Sequence, residues 1–157
     1  MILDTEIICD KLRDYVKSKI NDEIDLINQE KNDDIILEHI SNDAYFFESL
    51  DDEVHNFDPF FFYYVDSTTT EVKGPSYAKA INIEFDLLVV DDGDSHISRK
   101  LLRYTRVMEK VLAQAFNRIM PSNNAELETL DSIDVKLKNS SKRHKAIGTR
   151  INFTIHY

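Results

Sequence analysis

Residues 81–120 constrain the fold more than any other stretch, because they place a strand, a turn and a helix in one continuous run. The first ten residues alternate between apolar and polar side chains, a period of two that is typical of a strand with one buried face. The apolar members of this alternation are Ile81, Ile83, Phe85, Leu87 and Val89. Residues 91–95 then interrupt the pattern with turn chemistry, and Pro121 ends the helix that follows.

The helix predicted up to about Met120 is amphipathic and strongly basic. Its apolar side holds Ile97, Leu101, Tyr104, Thr105, Met108, Val111, Leu112, Ala115 and Ile119. The opposite side holds Arg99, Arg103, Arg106 and Lys110, which we call the basic stripe. Residues 99–118 carry six Lys or Arg and one Glu, a net charge of about +5, whereas the whole chain carries −10. The stripe is either a solvated face or a surface that meets acids on a neighbouring subunit.

Four further elements complete a predicted α-β-β-α-β-β order. Apolar residues at helical spacing predict a first helix over residues 4–28. Residues 60–65 predict a strand, and residues 66–76 a long polar hairpin connection. Alternation around residues 133–137 and 151–157 predicts the last two strands. We therefore expect a single α+β domain over residues 1–157, with a mostly antiparallel sheet of four strands, or slightly more, and two helices packed on it.

Two stretches leave their structure open. Residues 35–40 are compatible with a short strand or a helical turn, and we expect residues 32–58 to be irregular and to pack aromatic side chains onto the sheet edge. The run of six apolar residues at 60–65 indicates either burial on both faces or one face in an interface. Phe61 and Tyr63 are therefore candidate interface residues.

Composition and motifs indicate no reaction centre. Cys9 is the single cysteine, so the chain can form no internal disulfide or multi-cysteine metal site. The three glycines build no phosphate-binding loop, and neither a nucleophile elbow nor a zinc-protease motif is present. We predict no catalytic residue, no cofactor and no metal. The acidic balance opposes sequence-independent DNA binding, and an apolar run of six residues is too short to span a membrane.

One pattern in the sequence is typical of an enzyme. Asp58 followed by Glu71 and Lys73 imitates the acid and lysine arrangement of metal-dependent nucleases, which hold Mg²⁺ between acids on adjacent strands. Here Glu71 and Lys73 fall in the predicted hairpin connection, and the similar pair Asp134 and Lys136 follows the second helix. A metal-dependent nuclease is therefore the third interpretation, after the two non-enzymatic ones given below.

The order of elements resembles the tail terminator and head–tail joining proteins of tailed bacteriophages. The resemblance rests on the first helix, on the hairpin with its polar tip at 66–76, and on the terminal pair of alternating strands. It rests equally on INIEFDLLVVDD leading into SRKLLRYTRVMEKVLAQAF. It covers most of the chain and involves no short diagnostic motif.

The resemblance implies a structural virion protein without catalytic residues. Such proteins form rings, commonly hexamers, that terminate the tail tube and join it to the head connector. The implied partners are copies of the chain, the tail tube protein and the neck proteins, with DNA passing through the ring without specific binding. The implied location is the virion tail or neck, after assembly in the host cytoplasm. The alternative is a small non-enzymatic binding or adaptor domain that dimerises through an exposed sheet edge.

Overall fold

The computed structural model describes residues 5–47, 57–91, 93, 95–119, 127–139 and 144–156. Two helices and five strands alternate along this part of the chain. In order they are α1 (Thr5–Lys31), β1 (Tyr45–Phe47), β2 (Phe60–Lys73), β3 (Ser76–Val90), α2 (Ile97–Ile119), β4 (Leu127–Asn139) and β5 (His144–His156). The predicted α+β class with two main helices is confirmed.

The five strands form one sheet in the order β1-β2-β3-β5-β4. β2, β3, β5 and β4 pair antiparallel throughout, as predicted. The sheet is mixed because the short strand β1 pairs parallel with β2, placing Tyr45 opposite Phe61. Sequence periodicity missed β1 because a three-residue strand is too short to show a period.

Both helices cover the same face of the sheet. Phe85 on β3 lies directly opposite Tyr63 on β2 and Thr149 on β5, and all three side chains are 0–1% exposed. Helix α1 contacts β2, where the Arg13 guanidinium lies 3.4 Å from the Tyr63 hydroxyl. Helix α2 lies against β4 and β5. The alternation predicted for residues 81–89 therefore becomes the centre of the core. Neither helix in the described residues is long and apolar enough to cross a membrane.

The predicted hairpin connection at residues 66–76 is wrong, because both strands continue almost to its end. Thr68 pairs with Ile81 and Glu71 pairs with Ala78, so only Gly74 and Pro75 form the turn. Gly74 has a φ of +63°, the conformation that a tight hairpin favours at its first central position. The segment consists of strand residues that bury little surface, which explains why no alternation of hydrophobicity revealed it.

The segment between α1 and β1 has no regular structure and is held against the helices by side chains. The amide of Asn28 contacts both backbone groups of Leu37, with Oδ1 2.8 Å from the N–H nitrogen and Nδ2 3.0 Å from the carbonyl oxygen. Asn21 contacts Ile40 in the same two ways, at 2.8 and 3.0 Å. The expectation of irregular structure is confirmed for residues 32–44, whereas Tyr45–Phe47 form strand β1 at the sheet edge. Residues 48–56 lie outside the described part.

The spacing of these two contacts follows from helix and strand geometry. Asn21 and Asn28 are seven residues apart on α1, a separation of roughly 10.5 Å at about 1.5 Å per residue. Leu37 and Ile40 are three residues apart in an extended segment, roughly 10 Å at about 3.3 Å per residue. The two lengths match, so the asparagine amides can form the backbone hydrogen bonds that a neighbouring strand would otherwise provide to this segment. Each satisfies backbone groups that burial would otherwise leave without a partner.

Candidate subunit-contact surfaces

The basic stripe faces α1 of the same chain rather than solvent alone. The Lys110 ammonium lies 2.7 Å from a Glu23 carboxylate oxygen, and both Arg106 nitrogens donate to Glu30, at 2.8 and 2.9 Å. The acidic partners on α1 are seven residues apart, so they lie on one side of that helix. The two helices run antiparallel along this line of ion pairs, which we call the charged seam.

Arg103 closes the charged seam at the end of α1. Its guanidinium donates to both carboxylate oxygens of Asp33, at 2.5 and 2.9 Å, and to the carbonyl of Ile35. Arg103 is 9% exposed. The helical periodicity correctly placed it opposite the apolar side of α2, but it did not predict that the side chain is buried. The Arg103 hydrogen bonds hold the pKa of Asp33 at about 2, below its usual value. This geometry is a two-pronged, charge-assisted contact.

These contacts weaken the argument that the basic stripe binds a neighbouring subunit. Three of its four cations have acidic partners within the chain, so their charge is already compensated. Arg99 is exposed and forms no ion pair with another described residue, although its charge acts on Asp33. A contact between the basic stripe and a neighbouring subunit stays a prediction. The positive charge that suggested it is largely neutralised by acidic residues of the same chain.

The two aromatic interface candidates lie in the core of the chain. Phe61 is 0% and Tyr63 is 1% exposed. The ring of Phe61 stacks on Tyr45 with centroids 5.1 Å apart, and that of Tyr63 stacks on Phe85 at 5.4 Å. Both residues lie on one face of β2 and present no surface to a neighbour. Phe62 and Tyr64 on the other face are only half-buried, so both interpretations of residues 60–65 stay predictions.

The nuclease constellation is not assembled. Asp58 precedes β2 and accepts a hydrogen bond from the Val90 backbone N–H at 3.0 Å. Glu71 lies near the other end of β2, roughly 40 Å away at about 3.3 Å per residue. The placement of Glu71 and Lys73 in a loop is wrong, since both belong to β2. Even on a strand, their distance from Asp58 prevents a shared metal ion.

Among the residues that the structure describes, long stretches of backbone at both edges of the sheet have no neighbouring strand. Within the described residues, β4 pairs with β5 alone, along its whole length. On the opposite side, β1 covers only residues 61–63 of β2, and residues 64–73 pair with β3 alone. Unpaired N–H and C=O groups on such edges are templates for another strand. We call these two surfaces the β4 edge and the β2 edge.

The two edges share a structural irregularity at one level of the sheet. The pairing of β2 shifts between Val65 and Ser67, and that of β4 shifts between Leu130 and Ser132. Ser67 and Ser132 are then connected across the sheet through Asn82 of β3 and its partner on β5. Bulges bend a strand and increase its twist, so both edge strands bend at the same height.

A polar network crosses the sheet face that the helices leave open. Tyr64 donates to Glu84 at 2.8 Å, and Arg150 lies 3.4 Å from Glu84 and 3.5 Å from Asp66. Burial, followed by the hydrogen bond to Glu84, raises the pKa of the Tyr64 hydroxyl. Glu84 is 3% exposed. The network satisfies this buried carboxylate and ties β2, β3 and β5 together.

The described residues contain no group of three or more His, Cys, Asp or Glu side chains that could hold a metal ion. Comparison of the chain with protein-family models and with curated proteins gives no match. The resemblance to phage tail proteins stays a prediction from the sequence.

Proposed function

We propose that the protein is a structural subunit that assembles head to tail with copies of itself into a ring, and that this ring terminates a phage tail tube and joins it to the head connector. The observation that supports this proposal is the pair of open sheet edges on opposite sides of one sheet. A contact between two different surfaces of the same chain closes into a ring when its rotation permits.

Strand direction supports a head-to-tail contact. The four long strands β2, β3, β5 and β4 are antiparallel at every step, so β2 and β4 run in opposite directions. When a copy is rotated about an axis parallel to the strands, its β2 edge meets the β4 edge of the first subunit antiparallel. The sheet then continues across the contact with the same pairing. The bulges at matching height give both edges the same bend, which favours a curved, closing assembly.

The first experiment measures mass and shape. Light scattering after size exclusion should give several times the 18.3 kDa of one chain, and negative-stain images should show rings. The Thr68→Lys/Thr70→Lys variant adds positive charge to the β2 edge, and Leu137→Lys adds it to the β4 edge, where Lys136 already lies. Like charges on adjacent strands oppose pairing. Ile36→Lys is the control, because Ile36 is 56% exposed and lies on neither edge.

Mixing the two edge variants tests the head-to-tail geometry itself. Each variant keeps one usable edge, and these two edges are complementary. The mixture should therefore form a one-to-one dimer that does not grow, while each variant alone stays monomeric and Ile36→Lys forms rings. A wild-type chain that is monomeric at every concentration, or rings that both edge variants still form, would contradict assembly through these edges.

The position in the virion needs its own test. Antibody raised against the protein should label the junction of head and tail in purified phage particles. Label elsewhere on the particle, or none, would leave a ring-forming protein with a different role. The adaptor alternative is separated by the same mass measurement, because pairing through a single edge gives a dimer of the wild-type chain.

A further inference from the structure

A groove runs along the outer side of the contact between α1 and α2. It consists of two adjoining cavities of about 280 and 50 Å³ that share Ile27 and Arg106 in their walls. Ile27 is 4% exposed, whereas Leu26 and Leu102 are 53% and 61% exposed. The groove is therefore apolar where the helices touch and is flanked by one large exposed leucine from each helix.

Every polar side chain that lines the larger cavity carries a positive charge. Its lining consists of Ile27, Lys31, Arg99, Leu102, Arg103 and Arg106. Arg103 and Arg106 are engaged by Asp33 and Glu30. Lys31 and Arg99 are exposed. Neither forms an ion pair with another described residue, although their charges act on the nearby carboxylates of Glu30 and Asp33, respectively. A chain with a net charge of −10 thus concentrates four cations around Leu102 in the wall of one cavity.

We propose that this groove docks an acidic peptide segment of a second protein, with one large apolar side chain against Ile27 and Leu102 in the larger cavity and carboxylates on Lys31 and Arg99. In the larger cavity, the combination of apolar and cationic surface matches an acidic amphipathic segment in both respects. The smaller cavity also holds Glu23 and Glu30, which pair with Lys110 and Arg106. A volume of about 280 Å³ lies below the range of about 300–1,000 Å³ for small-molecule sites and accommodates one or two side chains.

Two other occupants match the groove less well. A second copy binding groove to groove would bring two cationic cavities together, and their like charges would oppose the approach. A nucleic acid would neutralise the cations but would leave Leu26 and Leu102 against phosphates. The groove belongs to the helices and not to either sheet edge, so the proposal holds whether or not the protein forms rings.

The experiment selects peptides rather than assuming one. A displayed library of random twelve-residue peptides is selected on the intact protein, and enriched peptides are synthesised with a fluorophore and measured by anisotropy. We expect the enriched sequences to combine several Asp or Glu with Leu, Phe or Met. Arg99→Glu and Leu102→Ala should each weaken binding about tenfold, the effect of removing one central contact. Both residues are exposed, and circular dichroism should show an unchanged fold.

Matched substitutions outside the groove are the controls. Lys19→Glu makes the same charge change on an exposed part of α1, and Ile7→Ala removes an apolar side chain that is 48% exposed. Both should leave affinity within about twofold. Failure to enrich acidic peptides, or equal binding by wild type and Arg99→Glu, would overturn the proposal. So would a labelled DNA oligonucleotide that binds with dependence on Arg99 while acidic peptides do not.

Discussion

Replacing Asn28 with alanine tests whether side-chain amides hold the segment between α1 and β1. Leu37 is 2% exposed, so its backbone N–H and C=O groups would lose both partners without access to water. Each lost neutral hydrogen bond costs about 0.5–1.5 kcal/mol, and more where a buried group stays unpaired. The higher helix propensity of alanine offsets roughly 0.5 kcal/mol. We therefore expect the free energy of unfolding to fall by about 2 kcal/mol.

This loss is large enough to measure in a chain of 157 residues. A change of 1 kcal/mol shifts Tm by about 2–4 °C at this size, so Asn28→Ala should lower Tm by roughly 4–8 °C. Urea unfolding followed by circular dichroism gives the free energy, and thermal scans give Tm. Hydrogen exchange at the Leu37 amide should accelerate more than at amides in the centre of α1.

Two further variants make the test specific. Gln29→Ala changes the exposed neighbour on the same helix and should stay within about 0.5 kcal/mol of wild type. Asn28→Asp keeps an oxygen for the Leu37 N–H but removes the donor to its carbonyl, so its stability should be intermediate. The reasoning is refuted if Asn28→Ala is as stable as Gln29→Ala, or if Asn28→Asp is the less stable of the two Asn28 variants.

Three other outcomes follow from the described contacts. The pKa of Asp33 is about 2, below the unfolded value of about 3.9, so its contribution to stability is complete above pH 4 and is lost as pH falls toward 2. The free energy of unfolding of Asp33→Asn, measured in urea, should therefore depend less on pH in that window. Arg103→Lys should destabilise the fold more than Arg99→Lys. The Thr149 hydroxyl is buried without a hydrogen-bond partner in the described residues, so Thr149→Val should raise the free energy of unfolding by about 1 kcal/mol, and a decrease would contradict this. Cys9 is 1% exposed, so its thiol should react with a colorimetric disulfide reagent only at the rate of unfolding, and a fast reaction in native buffer would show that α1 opens.

The elements that the sequence predicted well are those that bury one face. Alternation in residues 81–90 and helical spacing in α1 and α2 are direct consequences of packing against a single core. The positions of Ile83, Phe85 and Leu87, all 0% exposed, follow from that alternation. In these elements the local pattern and the tertiary environment impose the same period.

The elements that the sequence missed are stabilised by contacts that leave no periodic signal. The outer parts of β2 and β3 pair through backbone groups while exposing Thr69 and Val72, so polarity there resembled a loop. Asn21 and Asn28 are ordinary polar helix positions until a distant segment lies beside them. Their seven-residue spacing, shared by Glu23 and Glu30, was not used in the prediction, although it is the signal that could have shown a second contact line on α1.

The same distinction applies to the charge pattern and to assembly. A helical wheel shows which side of α2 is basic but cannot show that Asp33, seventy residues away, neutralises Arg103. Since the charged seam compensates most of the stripe internally, charge is a weak basis for contact between subunits. The open edges are a stronger basis, because unpaired strand backbone requires only another strand and the opposite directions of β2 and β4 already supply one. In the proposed ring, the contact between subunits uses the backbone of the sheet, and the proposed peptide contact uses Lys31 and Arg99 on the helices.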